Sequence, residues 1–165
     1  MISKRIACWL LGAWLAGALF MFTVATRNFR AAADPHAAAR TSLSKQETYG
    51  LLRFHAGELN AWFFSQWERA QIVLGLGLMG AVAAGMRSSR WALIAAAALL
   101  LVTLIEHFFL SPEIARLGRE LDFSAGLSPE RARFGRLHGA YSSLELAKLA
   151  VLVLLSGRLI LRSKE

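Results

Sequence analysis

The sequence has one cysteine, Cys8, and only three prolines. A lone cysteine cannot close an internal disulfide or supply a multi-thiolate metal site, and Cys8 lies too near Met1 to be a lipoprotein attachment point. Charge is scarce as well: 18% of residues are charged, against about a quarter in soluble domains. Hydrophobic residues make up 56% instead, concentrated in long runs, and the mean hydropathy is +0.44. Such a chain is neither disordered nor a disulfide scaffold nor a cytosolic enzyme. Its 165 residues amount to one domain, with the composition of an integral membrane protein.

The net charge of +8 and pI near 10.8 would suggest nucleic acid in a soluble chain. In a membrane protein the same excess marks loops facing the cytoplasm and anionic lipid. There is no basic patch interleaved with aromatics and no zinc-ligand spacing, so no nucleic-acid partner is expected.

Four runs are apolar enough to cross a bilayer, which takes about 20 helical residues. They are residues 6–26, 62–86, 91–110 and 139–161, the second being an apolar stretch from Ala70 to Met86 extended outward through Trp62, Phe63, Phe64 and Trp67. None of the prolines falls inside a span. The first run has the basic flank of a signal peptide and a passable cleavage site at Thr23-Val-Ala25, but its apolar stretch is longer than such signals use, so it is expected to remain as a span. Lys4 and Arg5, then Arg87 and Arg90, then Arg162 and Lys164 border the spans on one side, and the two longer connections on the other side mix signs. By the positive-inside rule both termini face the cytoplasm, the expected setting being a cell (inner) membrane.

Asp34-Pro35, Ser111-Pro112 and Ser128-Pro129 each place an N-cap residue before proline. Short helices are expected to start at Pro35 and Pro112, and the fourth span is expected to begin early, near Pro129. Between Ser44 and Asn60, apolar residues recur among polar ones, as in an interfacial amphipathic helix or an outward extension of the second span. Trp9 and Trp91 on the inner side, and Trp62 and Trp67 on the outer, form the expected aromatic belts.

Gly75-Leu-Gly77-Leu-Met-Gly80 matches a dinucleotide-binding fingerprint literally, but that motif requires a preceding strand, and here it lies within an apolar helix. The physical reading is a packing seam: Gly77, Ala81 and Gly85 recur every fourth residue, as do Gly80 and Ala84. Gly12 with Ala16, and Ala13 with Gly17, offer a matching surface on the first span.

Ionisable groups in hydrocarbon cost several kcal/mol unless paired or hydrated, so the polar residues within the spans are the stronger clue. Glu106 and His107 lie one turn from the outer end of the third span. Glu145 and Lys148 share a face of the fourth at i, i+3; His138, Tyr141 and Glu145 also share nearly one face, with Ser142 beside them. Three readings compete for this outer-half cluster. In the first it is structural, with an internal Glu145–Lys148 pair and Glu106 bonded to an arginine or to His138. In the second it is a small water-filled pocket open to the outer side that binds or passes a cation, a proton or a small polar solute, with Glu106 and Glu145 as acceptors. In the third, His107 and His138 ligate haem or a metal. Ser142 and Ser143 follow no nucleophile motif and have no activating partner, so no catalytic residue is assigned.

The stretch Arg133-Phe-Gly-Arg-Leu-His138-Gly-Ala-Tyr-Ser142-Ser-Leu-Glu145-Leu resembles the transmembrane protein 205-like family, a four-span domain of unknown function catalogued as domain of unknown function 4149. Trp14 to Phe20 and Ser111 to Leu117 fit the same resemblance. It implies the fold and a membrane setting, and no reaction. This chain departs from the family pattern at Glu145, where an asparagine stands in the pattern; beside Lys148, that puts an ion pair where relatives have a neutral amide.

The expectation is therefore an all-α, integral membrane four-helix bundle forming one domain over residues 1–165, with short amphipathic helices in the two outer connections. The leading functional expectation is a non-enzymatic interaction or accessory subunit that needs no cofactor, its partners being the lipid bilayer and other membrane-protein subunits or itself. The alternative is binding or permeation through the outer-half cluster, and haem or metal binding comes third.

Overall fold

A computed structural model of the chain describes residues 2–34, 36, 41–85, 90–122 and 129–161. The described residues form helices and connecting turns: α1 (Ile2–Ala32), α2 (Lys45–Gly85), α3 (Arg90–Ile105), a single π turn (Glu106–Leu110), α4 (Ser111–Asp122) and α5 (Pro129–Leu161). Three helical stretches are long and apolar enough to cross a membrane: Ser3–Ala32, Arg90–Leu121 and Pro129–Leu159. The second span expected from the sequence falls short of that standard, because Glu68, Arg69 and Gln71 interrupt the apolar part of α2.

Each boundary has a local cause. α2 opens on a reciprocal capping box: the Glu47 amide donates to Ser44 Oγ at 3.2 Å, and the Ser44 amide donates back to Glu47 Oε2 at 2.9 Å. At 41 residues, α2 is about 60 Å long, roughly twice the hydrocarbon thickness of a bilayer. The amphipathic stretch up to Asn60 is thus continuous with the rest of α2 rather than a separate helix. α5 starts at Pro129, where a missing N–H costs nothing, with Glu130 in its first turn. The helix expected at Pro35 lies outside the described residues.

The helix expected at Pro112 is α4, which starts at Ser111, but Ser111 is not the non-helical cap that its position before Pro112 suggests. It sits at helical φ −63° and ψ −43°, and its amide donates to the Glu106 carbonyl five residues back. Pro112 has no N–H for the Phe108 carbonyl and would crowd it in a regular α-turn. The wider π turn carries the helix past this point, so α3 and α4 run on as one stretch. α4 then covers the bundle end with Leu117 and Leu121 turned inward.

The core divides into two levels. Towards the chain termini it is apolar: Ala7, Leu11 and Trp14 of α1, Leu78, Ala81 and Val82 of α2, Ala92, Ala96 and Leu99 of α3, and Leu152, Leu155 and Leu159 of α5. Towards α4 it is polar. Trp9, Trp62 and Trp91 are exposed, but Trp67 does not join the belt. It turns inward onto Gly17, where a Cβ would fall inside the indole ring. The small-residue seam also divides. Ala81 is buried within the bundle and Gly77 faces Leu10, whereas Gly80, Ala84, Gly12, Ala13 and Ala16 face outward; Gly85 is the last residue of α2.

Beyond the spans, polar contacts tie the helix ends together. Asn28 Nδ2 donates to Asn60 Oδ1 at 2.7 Å between α1 and α2. Arg119 pairs with Glu58 at 3.0 Å and Arg133 with Glu113 at 2.8 Å, joining α4 to α2 and to α5.

Candidate functional site: a buried polar network between three helices

Three buried stripes with alternating three- and four-residue steps converge on the bundle axis. They are Glu68, Gln71, Gly75, Leu78 and Val82 on α2, Ala92, Ala96, Leu99 and Thr103 on α3 with Glu106 of the π turn, and Tyr141, Lys148, Leu152, Leu155 and Leu159 on α5, where the half-buried Glu145 fills the step between Tyr141 and Lys148. That spacing interlocks side chains in left-handed bundles. Each stripe is apolar towards the chain termini and polar towards α4. The polar residues therefore occupy core positions that packing makes face one another.

They form one connected network. Lys148 Nζ donates to Gln71 Oε1 at 2.6 Å, to Glu145 Oε1 at 2.9 Å and to Glu106 Oε2, which uses all three of its hydrogens. Gln71 Oε1 also accepts from Thr103 Oγ1 at 3.1 Å, and Gln71 Nε2 donates to Glu145 Oε1 at 3.3 Å. The Tyr141 hydroxyl lies between two carboxylates, 3.1 Å from Glu68 Oε1 and 3.4 Å from Glu145 Oε1. Glu68 also accepts from the Ser111 hydroxyl, and its Oε2 lies 3.0 Å from His107 Nδ1. Phe64 packs edge-on against the Tyr141 ring at 5.7 Å and fixes its direction.

The network is closed to solvent at its centre, which counts against the open, water-filled pocket. Glu68, Gln71, Thr103 and Glu106 are wholly buried and Lys148 is 2% exposed, whereas the side chains of Glu145 and His107 are 20% and 18% exposed. One atom stands apart: Glu106 Oε1 is buried without a hydrogen-bond partner.

Of the residues expected at this site, Glu106, His107, Tyr141, Glu145 and Lys148 are brought together, and His138 and Ser142 are not. His138 is exposed and stacks on Phe134 with ring centres 5.7 Å apart. Ser142 is exposed and its hydroxyl donates to the His138 carbonyl at 2.9 Å, a bond within its own helix. Glu106 is bonded to Lys148, not to an arginine or His138. The two histidines considered as haem or metal ligands thus make different contacts, His107 with Glu68 and His138 with Phe134, and among the described residues no group of three histidine, cysteine or acidic side chains is placed to hold a metal. Glu68, a polar group at the outer end of the second span, joins the network, as do Gln71, Thr103 and Ser111, which were not expected in it. The signal for Gln71 and Thr103 was available: each continues an apolar stripe at the next three- or four-residue step.

Compared with family models, curated proteins and solved structures, the chain shows no match.

Proposed function

We propose that the chain is a non-enzymatic, four-span integral membrane protein, both termini cytoplasmic, that binds a proton or a monovalent metal cation in the buried network of its outer half. The observation that carries this reading is the charge imbalance of the network. Glu68, Glu106 and Glu145 face a single lysine, Lys148, and His107 adds a second positive charge only when protonated. At least one negative charge is left over in a closed, water-poor core, where an unpaired carboxylate is costly. A purely structural ion pair needs no excess acid; a site that takes up a small cation does.

Several features support α2 as the fourth span. Its polar side chains Glu68 and Gln71 face inward, while Val73 and Leu76 are exposed, so lipid would meet an apolar face. Ile6, Phe20, Phe22, Ile94, Leu101, Leu146 and Leu154 give the other helices the same character. In water such a surface would drive association; in lipid it faces its own solvent. The resemblance to the transmembrane protein 205-like family agrees with a four-span unit, and Lys4, Arg5 and Arg90 keep the terminal side cytoplasmic.

The test is thermal unfolding in lipid nanodiscs across pH and with added sodium, potassium or choline chloride. A ligand that binds only the folded state raises its stability. The expected outcome is stabilisation by protons or by one alkali cation, with choline inactive as the ionic-strength control. A melting temperature indifferent to all of them would falsify the reading.

One observation favours the accessory-subunit reading as a second function. The outward face of α1, from Lys4 and Arg5 past Cys8 to Gly12 and Ala16, forms a shallow groove, and a Cβ at Gly12 would meet nothing within 4 Å. The occupant proposed is a spanning helix of a partner subunit, with small residues along the contact and an acid opposite Lys4 and Arg5. Native mass spectrometry from mild detergent should then show a heavier complex that Gly12→Leu dissociates. A lone 18.1 kDa chain in both samples removes this second function.

A further inference from the structure

The binding reading leaves open which cation the network holds and where. Resting on that reading, we infer that the bound species is a proton and that Glu106 carries it. Donor bookkeeping separates the three carboxylates. Glu145 Oε1 accepts from Lys148, Gln71 and the shared Tyr141 hydroxyl. Glu68 accepts from Ser111 and Tyr141 and lies on His107 Nδ1. Each of these two carboxylates is therefore supplied with several donors. Glu106 has one donor, Lys148 on Oε2, and its Oε1 is buried with no partner.

The excess charge therefore falls on the carboxyl least equipped to keep it. Adding H⁺ at Oε1 neutralises it without breaking any bond in the network. Lys148 keeps Gln71 and Glu145, and Oε2 stays available as a carbonyl-type acceptor. The ionisable groups facing Glu106 are Glu68 from α2 and Glu145 and Lys148 from α5, with Tyr141 beyond them; α4 reaches the cluster through Ser111 on Glu68. Glu145 and His107 are the partly exposed members of the network.

The experiment is infrared spectroscopy of the full chain in nanodiscs at neutral pH, looking for the carbonyl stretch of a protonated carboxylic acid that exchanges slowly in D₂O. Wild type, Glu106→Gln, Glu68→Gln and Glu145→Gln are compared, and melting temperatures are read in parallel. The expected result is an acid band in the wild type that only Glu106→Gln abolishes. Glu106→Gln, whose amide imitates the neutral acid, should melt at or above the wild-type temperature, and the other two below it. An acid band that survives Glu106→Gln and vanishes in Glu68→Gln or Glu145→Gln overturns the assignment to Glu106 and leaves the binding reading standing. No acid band, with stabilisation by sodium or potassium, replaces the proton by a metal cation. No band and no response to pH or to either cation overturns the inference and the binding reading together. The wild-type spectrum and cation titrations decide these cases even if a variant fails to fold.

Discussion

Lys148 and Glu106 meet across the α3–α5 interface with side chains 2% and 0% exposed, so each is the other's partner in a region water does not reach. Removing the lysine leaves three buried or half-buried acceptors, Gln71, Glu106 and Glu145, without their shared cationic donor, and breaking a buried ionic contact in this way costs about 3–5 kcal/mol. Lys148→Met removes the network's one lysine and leaves all three carboxylates. It should lower the unfolding free energy by roughly that amount, measured by chemical unfolding in detergent micelles. The double variant Lys148→Met/Glu106→Leu should recover much of the loss, because apolar side chains of similar volume then replace both buried polar groups. A double variant as unstable as the single one would mean that the lysine stabilises the bundle through Gln71 and Glu145 alone.

Gly17 and Gly12 lie five residues apart on α1 and have opposite surroundings. A Cβ at Gly17 would overlap the Trp67 ring, whereas one at Gly12 would meet nothing. An indole is rigid and cannot fold away, so Gly17→Leu should cost about 1–3 kcal/mol, as overpacking usually does. Gly12→Leu should leave the isolated chain's stability unchanged. Thermal unfolding of the two variants side by side checks the contrast; equal losses would show that small size matters along all of α1.

Much of the fold was legible because helix periodicity and span hydropathy are local properties. The early start of α5 at Pro129 followed from a single proline. Ser111 misled for a physical reason: a Ser-Pro pair marks a helix start by default, but a π turn can absorb a proline when the flanking segments both pack on the same neighbours. At the site, Glu145 and Lys148 could be paired from spacing within one helix. The partnership of Glu106 with Lys148 and the inclusion of Glu68 depend on how α2, α3 and α5 are rotated about their axes, which packing decides. His138 shares a nominal face with Tyr141 and Glu145, yet it sits where the helix has left the core and stacks on Phe134 instead.

The capping box at the start of α2 supplies a pH dependence outside the membrane. Hydrogen bonds from the Ser44 hydroxyl and amide hold the Glu47 carboxyl below its ordinary value of 4.5. A group whose value is lower in the folded state stabilises that state above its unfolded value, and the contribution fades as pH falls through the folded value. Protection factors of the amides in the first turn of α2, taken against the intrinsic exchange rate at each pH, should therefore be highest near neutrality and fall once pH drops below about 4.5. Ser44→Ala should give the low protection factors at all pH values while protection around Leu78 stays unchanged. Protection in that turn that is independent of both pH and Ser44 would be assigned to tertiary packing.

Tyr141 ties α5 to α2 in two ways that mutation can separate. Its hydroxyl lies between Glu68 and Glu145, and its ring meets Phe64 edge-on. Tyr141→Phe keeps the ring and removes the donor shared by two carboxylates. Interhelical hydrogen bonds in membranes contribute about 0.6 kcal/mol on average and up to about 1.7, and this one serves charged acceptors, so the loss should fall towards the upper end. Phe64→Leu keeps the donor but frees the ring that aims it, and should cost less. The double variant distinguishes the two mechanisms: if Phe64 acts by orienting the hydroxyl, Phe64→Leu adds little once Tyr141 is already phenylalanine. Strictly additive losses in a double-mutant cycle would show the aromatic contact and the hydrogen bond to be independent.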